Sequence, residues 1–314
     1  MKIASPGVLI ISNTHDYSTD HVTYQLKKKG VEYLRLNRDS FSNYNFSMDP
    51  VNEIILGNTN NLKFNINSNT LKSIYFRAPI YSRSNPRNVL PIETQLSKSQ
   101  WASFIRGLII FDDILWINHP QSTYNAEIKP FQLNIAKKIG FAVPETIITN
   151  DNSNSKLFNK IAIKTLEPAI FDLGDKESFI YTNILDSKEL NNHDLSISPL
   201  IIQNALIPKI DIRVTVINKK VYAVSIKHDN SGIEFDWRLQ KEDLQYELIN
   251  LPLKIEKLCI KLLEKLGLKF GCIDLIFHDE TYFFIEINPT GEWDWLMHSL
   301  NLDIDLKIAN ELSM

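Results

Sequence analysis

The segment FFIEINPTGEW, residues 283–293, places a carboxylate, Glu286, and an amide, Asn288, in an otherwise apolar run. Upstream, FGCIDLIF (270–277) does the same with Asp274. Strand side chains alternate between faces, so Tyr282, Phe284, Glu286 and Asn288 are expected on one face, and Phe270, Cys272, Asp274 and Ile276 on one face of the preceding strand. The link HDET is short, which predicts a hairpin. With a loop of Asp279–Thr281, His278 pairs with Tyr282 and Asp274 falls opposite Glu286. A two-residue loop slips that register by one and parts them. Facing carboxylates in an apolar sheet repel and demand a cation or a shared proton. Asp, Glu and Asn oxygens are hard ligands suited to Mg²⁺, which completes its shell with water and phosphate oxygens, so this face suggests a nucleoside triphosphate site. The competing reading makes Asp274 and Glu286 the acidic halves of buried ion pairs with Arg213 and Arg238. The spacing is consistent with both.

Cations occur in similar settings. Lys164 lies in the apolar strand IAIKTL, where an ammonium is costly to bury unpaired. It reads either as a phosphate or adenine contact or as an ordinary edge lysine. Arg213, in DIRVTV, offers a planar fork that matches phosphate or carboxylate. Arg238, in FDWRL, is similar but sits in a less regular segment. Lys129, in AEIKP, stands at a helix start and carries little signal alone. The lone His15, His228 and His298 read as structural or surface residues, and the Trp293–Trp295 patch as packing.

The elements that must position these residues follow from periodicity. VLIIS (8–12), a helix through HVTYQLKKK capped by Ser18 or Thr19 and stopped by Gly30, and VEYLRLN (31–37) make a β-α-β opening. Residues 54–67 read as a hairpin, 71–79 as a strand and 99–114 as a helix. Residues 118–140 open with turn residues and become an amphipathic helix ending at Gly140. Residues 167–197 are polar and irregular, expected to be a mobile loop region with some strand. Then come a strand at 198–208, a hairpin over 211–227 turning at Asn218–Lys220, and a helix at 255–267 with apolar Ile255, Leu258, Leu262 and Leu266. The two chemistry-bearing strands and a last helix near 300–312 complete the chain.

Composition limits the function classes. The 314 residues are 44% hydrophobic, ample for two or three subdomains. A net charge of −3 provides no overall basic footprint for nucleic acid. Cys259 and Cys272 sit in apolar patterns and read as reduced core residues. No apolar stretch reaches the ~20 residues of a membrane span, and MKIASPGVLIIS is too short a run for a signal peptide. The expectation is a cytoplasmic protein.

In this order of elements the chain resembles the ATP-grasp ligases, and within them the graspetide synthetases (microviridin-type and grasp-with-spasm maturases) that cross-link ribosomally made peptides. The resemblance is carried by WINHPQSTYNAEIKPFQLNIAKKIGFAVPETIITND (116–151), IAIKTL, LIIQNALIPKIDIRVTVINKKVYAVSIK (200–227), DWR (236–238), GLKFGCIDLIF (267–277) and FIEINPTGEW. The GxxxxGK[ST] phosphate loop of other ATPases is absent, as such a fold requires. The resemblance implies an α/β (α+β) ATP-grasp fold with three parts: an N-terminal pre-ATP-grasp domain (1–119), a central subdomain with the lysine strand and flap (120–200), and a C-terminal subdomain with the metal site (201–314). The first boundary is expected near His119–Ser122, and the nucleotide is held between the latter two parts. It implies that Lys129 and Lys164 contact ATP phosphates and that Gln203, Asn204 and Leu206 form the segment holding the adenine edge. Asp211 binds ribose or orients that segment. Arg213 and Arg238 face the transferred phosphate and the acyl group, Asp274, Glu286 and Asn288 hold Mg²⁺, with two ions bridged by Glu286, and Arg77 and Lys227 are substrate contacts.

Two departures bear on these roles. The loop EPAIFDLGDKES (167–178) holds the single glycine Gly174 where many relatives have a glycine-rich flap. Ala78 follows Arg77 in YFRAP, where many relatives have a second arginine. The implied activity is an ATP-dependent carboxylate ligase that activates Asp or Glu side chains of a precursor peptide as acyl phosphates and joins them to Ser, Thr or Lys as esters or amides. The implied partner is a precursor with a leader segment that docks near the 211–227 hairpin. A homodimer is expected, with no nucleic-acid partner. The alternatives are a ligase of small acids and amines or of a peptide terminus, and a non-catalytic ATP- and peptide-binding module.

Overall fold

The structure is a computed structural model describing residues 3–59, 62–77, 91–151, 158–167, 170–172, 177–179, 182–228, 233, 236–237 and 244–314. Contacts divide the chain into two compact units. One comprises Met1–Thr123, Gly267–Phe270 and Glu292–Met314, the other Tyr124–Leu266 and Gly271–Gly291.

The first unit begins with β1 (Ile3–Ala4), β2 (Val8–Ser12), α1 (Tyr17–Lys28) and β3 (Tyr33–Asn37). There follow β4 (Asn45–Asp49), β5 (Ile54–Asn58), β6 (Lys63–Asn67), β7 (Ser73–Phe76), α2 (Ile92–Gly107), β8 (Leu115–Ile117) and α3 (Pro120–Ala126), within which the first unit gives way to the second. A parallel sheet runs β3-β2-β7-β8 and a second sheet runs β1-β6-β5-β4. Every residue of β2 is buried, as a parallel strand covered on both faces must be. Leu9, Ile11, Leu34, Leu36, Ile74 and Phe76 join Ile55, Phe64 and Ile66 of the second sheet in one core. Two expectations need correction. The cap of α1 is Asp16, whose carboxylate accepts from the Thr19 amide at 3.0 Å, rather than Ser18 or Thr19. The helix predicted over 99–114 starts at Ile92 and tightens into a 3₁₀ turn after Gly107.

The second unit continues with α4 (Lys129–Ile139), β9 (Thr146–Thr149), β10 (Lys160–Lys164), β11 (Ile170–Asp172), β12 (Glu177–Phe179), β13 (Asn183–Asp186) and β14 (Leu200–Asn204). Then come β15 (Ile210–Ile217), β16 (Lys220–His228), β17 (Leu244–Ile249), α5 (Leu253–Leu266), β18 (Phe270–His278) and β19 (Thr281–Asn288). The chain ends in the first unit with α6 (Asp294–Leu300) and α7 (Ile304–Leu312). The helical pattern over 118–140 is split into α3 and α4, because Pro130 belongs to a first helical turn, where a missing N–H costs nothing. Gly140 closes α4 at φ 114°, a left-handed position that favours glycine. An antiparallel sheet β13-β10-β14-β9 carries the lysine strand, and a five-stranded sheet β17-β16-β15-β18-β19 carries the acids. Within the region expected to be irregular, the described residues form a β11–β12 hairpin, β13 and a 3₁₀ turn. Gly174 and Ala78 lie outside the described residues.

The β18–β19 hairpin departs from the expected loop. His278 pairs with Thr281, so the turn has two residues, Asp279 and Glu280, both at positive φ (44° and 55°). That geometry matches the right-handed twist of the flanking strands. On its own this turn would set Asp274 against Ile285. The register shifts between Asp274 and Leu275, however: Leu275 faces Phe284, while Asp274 faces Glu286. Ile285 is the extra residue of a β-bulge, and the bulge restores the pairing that the short turn removes. Directly opposed residues share a face, so the bulge also corrects the expected strand face. Phe284 goes with Leu275, on the side opposite Glu286, and packs against Phe141 with the rings tilted by 41° and their centroids 5.6 Å apart.

Candidate nucleotide and metal site

Asp274 and Glu286 are opposed across β18–β19, and their side chains retain 24% and 20% exposure, so neither is sealed from a ligand. Arg213, on β15, donates from Nη1 to both oxygens of Asp274 at 2.9 and 3.0 Å. The Asn288 amide donates to Asp274 Oδ2 at 3.3 Å. Burial works against the charge of Arg213, but its neighbours, Asp274 first and Glu286 with it, together more than offset burial, and the guanidinium pKa is raised. After β19 the chain turns back beside this arginine. A Cβ on Gly291 would lie 2.6 Å from Cys272 Cβ and 2.9 Å from Arg213 Nη2, so only glycine fits there.

Lys129, in the first turn of α4, lies 3.8 Å from Glu286 Oε2 and donates to the Thr165 carbonyl at 2.9 Å. Lys164, at the end of β10, donates to Gln203 Oε1 at 3.0 Å. Burial pulls its pKa down to about 8; Glu286 and Asp211 oppose this shift, and Lys129 and Lys209 add to it. These mutual effects put the lysine sheet and the acidic hairpin on one cluster of charges. Asp211 is ion-paired with Lys209, and burial nonetheless raises its carboxyl pKa.

Strand β19 is fixed from α4 by a residue with no predicted role. Gln132, 2% exposed on α4, accepts from the Ile287 amide at 3.0 Å and donates to the Ile287 carbonyl at 2.9 Å. Its amide acts as a mock strand partner for the edge strand β19, at the residue between Glu286 and Asn288. A buried glutamine on the apolar face of a predicted helix was the available signal, because such an amide must find partners.

The remaining singled-out residues are placed as follows. Gln203 is buried and bridges Lys164 to Thr146. The backbone amides of Asn204 and Ala205 bond to the Glu145 and Lys160 carbonyls, and Leu206 is buried just beyond them. Lys227 lies on the opposite face of β16 from the partners of Arg213 and pairs with Glu247 at 2.9 Å, so it does not join the cluster. Arg77 belongs to the first unit, at the carboxyl end of β7. It is bound there by Asp16 at 3.2 Å and Glu292 at 2.8 Å. Arg238 lies outside the described residues. His15 is exposed and His228 partly buried; Trp293 is fully buried, consistent with packing.

The donor set fits a divalent cation of the Mg²⁺ type. Two opposed, partly exposed carboxylates and an amide within reach of one of them are hard oxygen ligands, and few enough to leave room for phosphate and water. Arg213 and Lys129 balance the same acids in the absence of a metal.

Residues 179–312 match the model of the RimK-like ATP-grasp domain. The whole chain is similar to a Chryseobacterium gregarium RiPP-associated ATP-grasp ligase in complex with ADP and a leader and core peptide. The TM-score is 0.84 at 25% identity, covering 98% of this chain and 96% of that one. It is also similar to the macrocyclase MdnC of Microcystis aeruginosa MRC, bound with the precursor peptide MdnA. Here the TM-score is 0.83 at 23% identity, covering 98% and 99%. The D-alanine–D-alanine ligase of Bacillus anthracis, complexed with ATP, matches with a TM-score of 0.57 at 11% identity over 97% and 95%. No curated protein matches by sequence.

Proposed function

Taking the chain as an ATP-dependent ligase of the ATP-grasp fold with a RimK-like domain, we propose that it activates side-chain carboxylates of a precursor peptide and closes them into ester or amide cross-links. The observation that carries the proposal is the gathering of Lys129, Lys164 and Arg213 with Asp274 and Glu286 from one helix and two sheets of one unit. Three cations against two acids leave the positive excess that a triphosphate requires. The likeness to a ligase bound to ADP, a leader and a core peptide supports a peptide substrate, and the higher TM-score there than with the D-alanine–D-alanine ligase, 0.84 against 0.57, favours it over a small acid.

In this reading Lys129 and Lys164 hold the phosphates of ATP, and the segment around Gln203–Leu206 receives the adenine. Asp274, Glu286 and Asn288 hold Mg²⁺, which supplies charge neutralisation at the phosphate oxygens. A substrate carboxylate oxygen attacks the γ-phosphorus, the bond to the departing ADP oxygen breaks, and an acyl phosphate forms. Arg213 stabilises charge on the transferring phosphoryl group, a role in which preorganised donors are effective. A Ser or Thr hydroxyl or a Lys amine then attacks the acyl carbon, loses its proton and expels phosphate. No side chain of the enzyme need act as nucleophile. Arg238 and Arg77 remain part of the proposal as contacts to the acyl group and the peptide. A two-fold homodimer is part of it as well, tested by light scattering.

The test is incubation with ATP, Mg²⁺ and a candidate precursor peptide carrying a leader segment, followed by mass spectrometry. Loss of one water per bond, with ADP formed in step, is the expected result. Esters reopen in mild base and amides persist. ADP formation that responds only to small acids and amines would move the substrate to the alternative class.

A further inference from the structure

Thr146 lies within the 116–151 segment and has no predicted role, yet it stands on the same face as the lysine. It stands directly opposite Gln203 on β9–β14, and Gln203 is opposite Ala162 on β10, two residues from Lys164. Opposed residues and their i±2 neighbours share a face, so Thr146, Gln203 and Lys164 form a row across three strands. The small Ala162 side chain leaves space for the Gln203 amide to reach diagonally to the ammonium.

The row is joined by directed hydrogen bonds. Thr146 Oγ1 donates to the Pro144 carbonyl at 2.8 Å. A hydroxyl has a single proton, so towards Gln203 it can only accept, and Gln203 Nε2 donates to it at 2.9 Å. That interaction fixes the amide with its oxygen towards Lys164, which donates to Oε1 at 3.0 Å. The reversed amide would present N–H groups to an ammonium, donor against donor. Gln203 is 3% exposed, so water does not readily replace the threonine.

We propose that Thr146 is a positioning residue for nucleotide binding: through Gln203 it holds the Lys164 ammonium in the place where it meets a phosphate. This inference rests on the reading of Lys164 as a phosphate contact. It assigns Gln203 the task of aiming the lysine, with the adenine edge left to the backbone that follows.

The test is a double-mutant cycle read by calorimetric titration of ADP with Mg²⁺. Thr146→Val keeps the shape and removes the acceptor. It is expected to weaken ADP binding about tenfold, the scale of one hydrogen bond to a charged group. In a Lys164→Met background the same change is expected to have no effect. Thr146→Ser restores the hydroxyl and is expected to restore affinity, so a loss due only to packing is distinguished. Equal weakening in both backgrounds, or wild-type affinity in Thr146→Val, would overturn the inference. If the wild-type protein fails to take up ADP, the proposed function itself falls.

Discussion

Arg77 and Lys164 are both cations set at the end of a strand, and the fold treats them differently. Arg77 is met by two carboxylates, Asp16 and Glu292, and its side chain is 4% exposed. Lys164 makes its hydrogen bond to a neutral amide and has its pKa pulled down by burial. A buried cation with matched anions is part of the architecture. A partly buried cation whose hydrogen-bond partner is a neutral amide costs stability, and an arriving anion would offset that cost. The comparison therefore separates a guanidinium already met by two carboxylates from an ammonium that, in the proposed reading, meets its anion in the nucleotide.

Arg77→Met should break the structural half of this comparison most severely. It leaves Asp16 buried without its counter-ion, for which a loss of about 3–5 kcal/mol is expected. Denaturant unfolding followed by circular dichroism would show it, and unchanged stability would remove the distinction. Lys164→Met should do the reverse. Turnover (kcat/KM for ATP) is expected to fall about a hundredfold, roughly 2.7 kcal/mol. The ligand-free protein should melt no lower than wild type, because removing a desolvated charge relieves about 1–3 kcal/mol.

A smaller effect follows from protonation. The folded pKa of Lys164 is about 8, against 10.5 for an ordinary lysine. The unfolded chain thus binds more protons between those values, and ligand-free stability attributable to Lys164 rises with pH across that window. An arriving phosphate raises the lysine pKa, so ADP binding near pH 8.5 should take up a fraction of a proton, and near pH 6.5 none from this group. Calorimetry in two buffers of different ionisation enthalpy measures the uptake, and Lys164→Met should abolish it.

The smallest effect is expected at the bulge. Deleting Ile285 removes the extra residue and lets the two-residue turn run directly into an Asp274–Glu286 pair. Mg²⁺-dependent ADP affinity is expected to stay within about threefold of wild type, on the scale of a few tenths of a kcal/mol. A complete loss would show that the bulge does more than set register.

What was legible in the sequence had a local physical signature. The alternation in 270–288 announced two paired strands, and Lys164 in IAIKTL announced an unusual cation. The bulge had none, since Ile285 is one apolar residue among others. The Asp279–Glu280 turn lacks the glycine that marks such turns. The early start of α2 was hidden because Ile92 and Leu96 are 76% and 60% exposed, which spoils an amphipathic pattern. Asp16, Ser18 and Thr19 are all good caps, and only the tertiary setting selects among them. Thr146 acts across strands far apart in sequence, so no local pattern disclosed it, whereas Gln132 left one sign, a polar side chain on the apolar face of its helix, without naming its partner on β19.

The central claim, that the lysine sheet and the acidic hairpin together hold a magnesium nucleotide, is tested most directly by titrating ADP into the protein with and without Mg²⁺. Saturable one-to-one binding that strengthens with Mg²⁺, and loses that Mg²⁺ dependence in Asp274→Asn/Glu286→Gln, is the predicted result. Absence of ADP binding by the wild-type protein, or identical Mg²⁺-dependent binding by the doubly substituted one, would contradict the account.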